Sequence, residues 1–363
     1  MPRAAGSPAL ERVRTLIEAQ LRDLELTVTA QHFTASTARL SAVSVLGVGT
    51  GWVTLALYPL LVFPVAGWVV ALVGGAGLTL TALVAHGIAE AHLPSRAERV
   101  EAVNLEARRE RPRLWLVAHL DSKSQQVSLG WRVLWVAIFV IGLAALLGAL
   151  AARFSGTLSW WGALALTAPA LVSGGVLSAS AAGNDSAGAV DNATGVIAAF
   201  AAARALRDRR DVGVLITDAE ELAMVGARAW VAATQPSGVF VNFDGVDSRG
   251  SYRIMSHAHH RGGAGQKGTS VALAAAVVQA LHQRGQPARG TALPLGVLVD
   301  GVVFARSGMP GITVSRGDWS TLRVVHTPRD VAPRVHIEAA VTAGEAVAWA
   351  ARQWLVDGQI PAS

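Results

Sequence analysis

Four stretches of the chain run without a charged side chain. Residues 42–63 and 65–84 form one pair, parted at Pro64; residues 133–152 and 157–179 form a second, parted near Arg153. Each run is about 20 residues, enough to cross a hydrocarbon core of ~30 Å at ~1.5 Å per helical residue. Two adjacent uncharged pairs therefore predict four transmembrane helices arranged as two hairpins. The remaining pattern is of another kind. Leu114–Ala118, Val212–Thr217, Val239–Phe243 and Gly311–Ser315 are short apolar runs that read as strands. Residues 193–207, 222–233, 269–284 and 335–356, rich in Ala, read as helices. Strands alternating with helices predict an α/β fold with a largely parallel or mixed sheet. Near the start, Leu10, Val13, Ile17, Leu21 and Leu24 recur at helical spacing behind Pro8, so residues 8–25 read as an amphipathic helix. It either packs on the α/β domain or lies on a membrane surface.

Composition sharpens this picture. Hydrophobic residues make up 52% of the 363 residues and charged ones 15%, too apolar for an ordinary soluble protein. The length suits one large domain plus membrane segments. No signal peptide is evident in the first 40 residues, which are mostly polar and carry five arginines from Arg3 to Arg39. With no cysteine in the chain, disulfides and thiolate metal sites are excluded. The formal charge is +6, and Arg108, Arg109, Arg111 and Arg113 form a basic cluster. No aromatic stacking motif accompanies it, so nucleic acid is not an expected partner; lipid headgroups or plain solvation are.

Candidate chemistry lies in five short motifs. His119 stands in V-A-H-L-D-S, Asp191 in G-A-V-D-N-A-T-G, Glu221 in D-A-E-E-L, Asp244 in N-F-D-G and His326 in H-T-P-R-D. Two imidazoles and three carboxylates serve a pair of zinc ions if one carboxylate bridges them. Most of these motifs follow predicted strands, where a site on an α/β sheet is built. Glu220, beside a ligand, is placed to act as a base. His257, His259 and His260 fall in a Gly-rich polar stretch and read as an exposed loop. Lys267 there does not have the setting of a phosphate-binding loop. Asn192 begins a glycosylation sequon, but the sequon overlaps a ligand motif and is discounted.

In their order and spelling these motifs resemble the co-catalytic zinc aminopeptidase family, which also includes glutamate carboxypeptidases and glutaminyl cyclases. The resemblance covers about residues 105–355, with one interruption. It implies a three-layer α/β/α zinc-peptidase domain with a mixed central sheet, and two zinc ions. Asp191 would bridge the metals; His119 and Asp244 would complete one site, Glu221 and His326 the other. Asp121 would orient the His119 imidazole. Glu220 would take a proton from the attacking water and give it to the leaving amine. Two departures stand out: a transmembrane hairpin between the first two ligand motifs, and Gly301 where many relatives have His after the aspartate. The implied activity is aminopeptidase. Carboxypeptidase or cyclase-type amide chemistry is an alternative, though cyclases bind one zinc and need fewer ligands. A non-catalytic membrane scaffold is another.

Topology follows from this site. His119 precedes the second apolar pair and Asp191 follows it, so the chain between them must cross a membrane an even number of times. The expected organisation is an N-terminal helical segment (1–41), hairpin 1 (42–86), the first part of the peptidase domain (87–132), hairpin 2 (133–180) and its main part (181–363). Arginine and lysine crowd residues 87–132, whereas the hairpin tips carry only Arg153. The positive-inside rule then places the peptidase domain in the cytoplasm of a multi-pass membrane protein. Trp131 and Trp160-Trp161 are expected as interfacial anchors. Ten residues link Asp121 to Trp131, spanning at most roughly 33 Å. The expected partners are therefore the lipid bilayer and a peptide, or the N-terminus of a membrane protein, as substrate.

Overall fold

A computed structural model describes residues 1–89, 98–179, 182–257, 264–294 and 297–356. In chain order its main elements begin with α1 (Pro8–Asp23), β1 (Thr27–Ser36), α2 (Ala38–Val62), α3 (Gly67–Ala89), β2 (Arg99–Arg108) and β3 (Leu114–His119). Next come β4 (Ser124–Gln125), α4 (Leu129–Ala152), α5 (Trp160–Ala179), β5 (Ala182–Gly183), α6 (Thr194–Ala205), β6 (Val212–Thr217), α7 (Val225–Thr234) and β7 (Val239–Val246). The chain closes with β8 (Ser251–Ser256), α8 (Ala264–Gln283), β9 (Ala288–Ala292), α9 (Asp300–Arg306), β10 (Gly311–Gly317), α10 (Trp319–Leu322) and α11 (Glu338–Val356). Two compact units result: Met1–Ala35 with Val100–Ser124 and Gly183–Ser363, and Ser36–Arg99 with Gln125–Ala182.

The first unit is built on an eight-stranded sheet of order β1-β2-β6-β3-β7-β10-β8-β9. Its centre is parallel: β3 pairs in parallel with both β6 and β7, and β7 with β10. Toward the edges the sheet becomes mixed, because β2 runs antiparallel to β6, and β8 to β10. Every residue of β3 and β6 is buried. Such strands must be covered on both faces, which is why they read as unbroken apolar runs and not as alternation. The side chains nevertheless sort by parity. Leu114, Leu116 and Ala118 join a core with α1, α6, α8 and α11. Trp115 and Val117 join another with Trp230 of α7 and Phe304 of α9. Period-two alternation thus divides one strand between two helical layers, the expected three-layer α/β/α arrangement.

Sequence pattern located the four central strands and missed β1, β2, β8 and β9. α1 packs into the first core through Leu10, Ile17 and Leu21, which settles its location. The arginines of the basic cluster each have a partner, although Arg108 and Arg111 stay exposed: Arg108 pairs with Glu106, Arg113 with Asp211, Arg111 donates to Ser237 Oγ, and Arg109 donates to the Leu24 carbonyl.

In the second unit, Ser44–Val62, Gly67–Ala89, Leu129–Ala152 and Trp160–Ala179 are long and apolar enough to cross a membrane. Leu57, Leu61, Val70, Leu146, Leu150 and Ala163 form its interior. Trp52, Leu72, Leu80, Leu83, Ile141 and Trp161 remain more than half exposed, an apolar surface that water would not favour. Arg153, the lone charge of the tips, is buried. Its guanidinium donates to the carbonyls of Leu60, Phe63 and Val65 around the end of α2, where unpaired carbonyls and the helix dipole favour a cation.

Candidate metal centre

The five predicted ligands converge where the central parallel strands end. His119 is the last residue of β3, and Asp244 lies near the end of β7. Glu221 sits in a 3-10 turn, Glu220–Leu222, just beyond β6. Asp191 lies in the turn that opens α6, and its peptide bond to Asn192 is cis. His326 lies in the loop after α10, with a left-handed backbone (φ 63°) that a non-glycine residue adopts only under strain of about 1–3 kcal/mol.

Among the described residues two donor groups can hold a metal: His119, Asp191 and Asp244, and Asp191, Glu221 and His326. Asp191 belongs to both, with one oxygen toward each. Its Oδ1 is 3.1 Å from His119 Nε2, and its Oδ2 is 3.0 Å from His326 Nε2. His326 Nε2 is also 3.0 Å from Glu221 Oε1, and His119 Nε2 is 4.0 Å from Asp244 Oδ1. Two ligands on one tetrahedral zinc, with bonds of ~2.0–2.1 Å, stand about 3.3 Å apart, so the three separations of 3.0–3.1 Å suit that ion and the His119–Asp244 separation of 4.0 Å is wider. Glu221 Oε1 fits it in a second way. It is buried and, despite its nearness to His326, accepts no hydrogen bond of acceptable geometry.

The motif residues around the ligands explain the local spelling. Asn192 donates to the Phe243 carbonyl at 2.8 Å, and its Oδ1 accepts from Gly195 and Gly245, tying the Asp191 turn to the Asp244 strand. It is fully buried, so the sequon is structural. A Cβ at position 195 would sit 2.0 Å from Asn192 Oδ1, which demands glycine there. Asp330, the last residue of H-T-P-R-D, accepts from the Val190 and Asp191 amides at 2.7 and 3.2 Å and pins the turn from the other side.

Asp121 faces the His119 imidazole and has a second task besides. Its two carboxylate oxygens accept the backbone amides of Glu220 and Glu221 at 3.0 and 3.1 Å. Its backbone carbonyl lies 3.1 Å and its carboxylate 3.5 Å from His119 Nδ1, so both face the imidazole. A proton on Nδ1 leaves Nε2 free toward Asp191.

Electrostatics match a site built for cations. Burial alone would raise the Asp191 carboxyl, but hydrogen bonds and charge from His119 and His326 hold it well below the usual range. Burial likewise raises Glu221, while His326 and Lys123 bring it down to about 2. Glu220 is pushed well above its usual value by burial, with His119 opposing and Glu221, Asp300 and Asp244 adding to the rise. Asp244 reaches about 7, first by burial. Burial raises the Asp300 carboxyl to about 6, opposed by the hydrogen bond it accepts from Thr217 Oγ1 at 2.5 Å. Five carboxyls crowd two imidazoles and one ammonium, an imbalance that divalent cations relieve.

Three contributors escaped the sequence reading. Lys123 is the ammonium, paired with Glu221 Oε2. It lies two residues beyond Asp121, but lysine types no ligand motif. Asp300 had been noted only as part of an altered motif, and Arg3 carries no motif signal at all. One expectation is corrected: His257 is not in an exposed loop. Its ring is buried, edge-on to Phe240, with Nε2 2.9 Å from Thr313 Oγ1. A Cβ at position 301 would fall 2.7 Å from that nitrogen, so the imidazole fills space beside Gly301. His259 and His260 lie outside the described residues. Lys267 belongs to α8. A groove of about 1020 Å³ beside α8 and β9 includes none of the five ligands among its lining residues.

A model of peptidase family M28 matches residues 102–351, and the chain belongs to that family. Solved structures share the fold at low identity. The zinc aminopeptidase of Bacillus subtilis superposes with a TM-score of 0.54 at 14% identity, covering 97% of this chain and 91% of its own. The aminopeptidase of Aneurinibacillus sp. strain AM-1 gives 0.55 at 12%, covering 97% and 90%. The glutaminyl cyclase of Porphyromonas gingivalis gives 0.53 at 14%, covering 97% and 92%. No curated protein matches the chain.

Proposed function

We propose that this chain is a membrane-integral, zinc-dependent aminopeptidase that removes residues from the N-terminus of peptides or of membrane proteins. The observation that carries this reading is the pair of donor groups sharing Asp191. One carboxylate common to two triads is the arrangement two co-catalytic ions require. His119 and Asp244 would hold one ion and Glu221 and His326 the other, with Asp191 shared by both groups. When bound, such ions lower the pKa of a coordinated water to about 7 and polarise the scissile carbonyl. The chain supplies the rest. Glu220 lines the same cluster, buried beside the ligand Glu221, and takes a proton from the attacking water before returning it to the leaving amine. Asp121 holds both glutamates through their amides, and Lys123 occupies the outer oxygen of Glu221 so that Oε1 turns inward. The aminopeptidases of Bacillus subtilis and Aneurinibacillus support the choice of activity. A comparison of free, N-acetylated and N-terminal glutaminyl peptides tests it. Free peptides should be shortened from the N-terminus and acetylated ones left intact. Loss of ammonia from the glutaminyl peptide, leaving a cyclised N-terminus on a chain of unchanged length, would replace the assignment with cyclase chemistry.

Residues 1–41, 87–132 and 181–363 are assigned to the cytoplasm, on the even crossing between ligand motifs and the arginine bias. The buried, carbonyl-bound Arg153 supports this, since it is the only charge the tips must carry out. With no native cysteine, single cysteines report cleanly. Ser155→Cys should label with an impermeant reagent on intact cells, and Ser237→Cys should not. The reverse pattern would invert the orientation. An active site tethered by four spans suits substrates that reach it at the bilayer.

A further inference from the structure

We infer that Arg3 is a positioning residue that sets the distance between the His119 loop and the Asp191 turn. This rests on the reading above, in which both residues are ligands. Arg3 is 7% exposed, unusual for an arginine so near an exposed methionine. Its guanidinium spends its donors on backbone carbonyls of two separate segments. Nε donates to Leu120 O at 2.9 Å, between His119 and Asp121. One terminal nitrogen donates to Ala187 O, and the other to Gly188 O at 3.0 Å, in the stretch leading to Asp191. The backbone of Arg3 repeats the link. Its amide donates to Ser122 Oγ at 3.0 Å, its carbonyl accepts from the Ser122 amide at 2.9 Å, and Ser122 Oγ donates to Ser186 O at 3.0 Å. Next to it, the Ala4 amide donates to Asn184 Oδ1 at 3.1 Å.

The two segments are distant in sequence; β4 and β5 pair at their far ends, where the Asp185 amide donates to Ser124 Oγ at 2.9 Å, but among the described residues no strand pairing extends to Leu120, Ala187 or Gly188. A planar fork with fixed donor angles is what fixes three carbonyls relative to one another; an ammonium has no such geometry. Gly188 makes room for it. Its left-handed backbone (φ 59°) carries no Cβ, and one would fall 2.5 Å from Ser122 Cβ and 3.1 Å from the Arg3 terminal nitrogen. Burial lowers the pKa of the guanidinium, and the charges of Asp121, Asp330 and Asp191 oppose that in part. Asp330 pins the Asp191 turn from one side, and Arg3 clips the stretch before it to the His119 loop from the other.

Arg3→Ala and Arg3→Lys, each in the full chain, test the clip by two independent readouts. In metal-free protein, amide exchange should accelerate at 184–193 and 119–123 in both variants, with the α8 and α11 amides unchanged. Zinc retention against a competing chelator should weaken by about 10–100-fold, the usual effect of losing a group that orients a ligand, with Arg3→Lys failing to restore it. Exchange unchanged at those segments overturns the clip. Faster exchange with wild-type zinc retention reduces Arg3 to a stability contact and overturns its positioning role. If Arg3→Ala does not fold, Arg3→Lys alone decides by the same criteria. A wild-type chain that binds no zinc would instead refute the metal reading, and exchange alone would then judge whether Arg3 fixes the two segments.

Discussion

Asp191→Asn should leave a folded chain that has lost both metals and, with them, all measurable peptide hydrolysis. The expectation follows from geometry. Asp191 presents one oxygen to His119 and the other to His326. No other described residue belongs to both donor groups. An amide offers a single oxygen and no charge, so it cannot bridge two cations. The effect should exceed the about 10–100-fold loss typical of a change outside the ligand set. The fold should survive, because the Asn192, Thr194 and Asp330 hydrogen bonds that shape the turn do not use the Asp191 side chain. Elemental analysis beside a hydrolysis assay reads both halves. Wild-type metal content in Asp191→Asn would contradict the bridging assignment.

Glu220→Gln should separate binding from chemistry. Glu220 is buried among the ligands, yet neither donor group contains it. The variant should hold metal as the wild type does and lose about 10²–10⁴-fold in kcat, the usual contribution of general acid–base catalysis. Its neighbour should behave in the opposite order. Glu221→Gln removes a ligand that lies 3.0 Å from His326, so metal should be lost first and activity as a consequence. KM should change little in Glu220→Gln, because the proton transfer belongs to the transition state. Full turnover in that variant would end the assignment of Glu220 as the base.

The candidate ligands were legible because each stands in a short motif of His, Asp or Glu, and three of them, His119, Glu221 and Asp244, lie at or just beyond the ends of β3, β6 and β7, which announce themselves as apolar runs. The four long apolar helices were legible for a similar reason: a segment able to span a bilayer carries no charge over about 20 residues. What positions the ligands was not. Arg3 reaches the site through backbone carbonyls, which leave no trace in residue identity, and its partners lie beyond position 119. Lys123 looks like one more surface lysine until the fold buries it against Glu221. The edge strands β1, β2, β8 and β9 carry mixed, partly exposed patterns that a short apolar template does not match. His257 sits in a polar stretch of sequence, and only the space beside Gly301 shows why it is buried.

The most direct measurement is the zinc content of wild-type chain purified without chelator, taken together with hydrolysis of an unblocked peptide. A bridged set of five ligands serves two ions. The expected result is therefore about two zinc ions per chain, with activity abolished by chelation and restored by added Zn²⁺. A content reproducibly near zero, with no hydrolysis recovered on adding Zn²⁺ or Co²⁺, would contradict it.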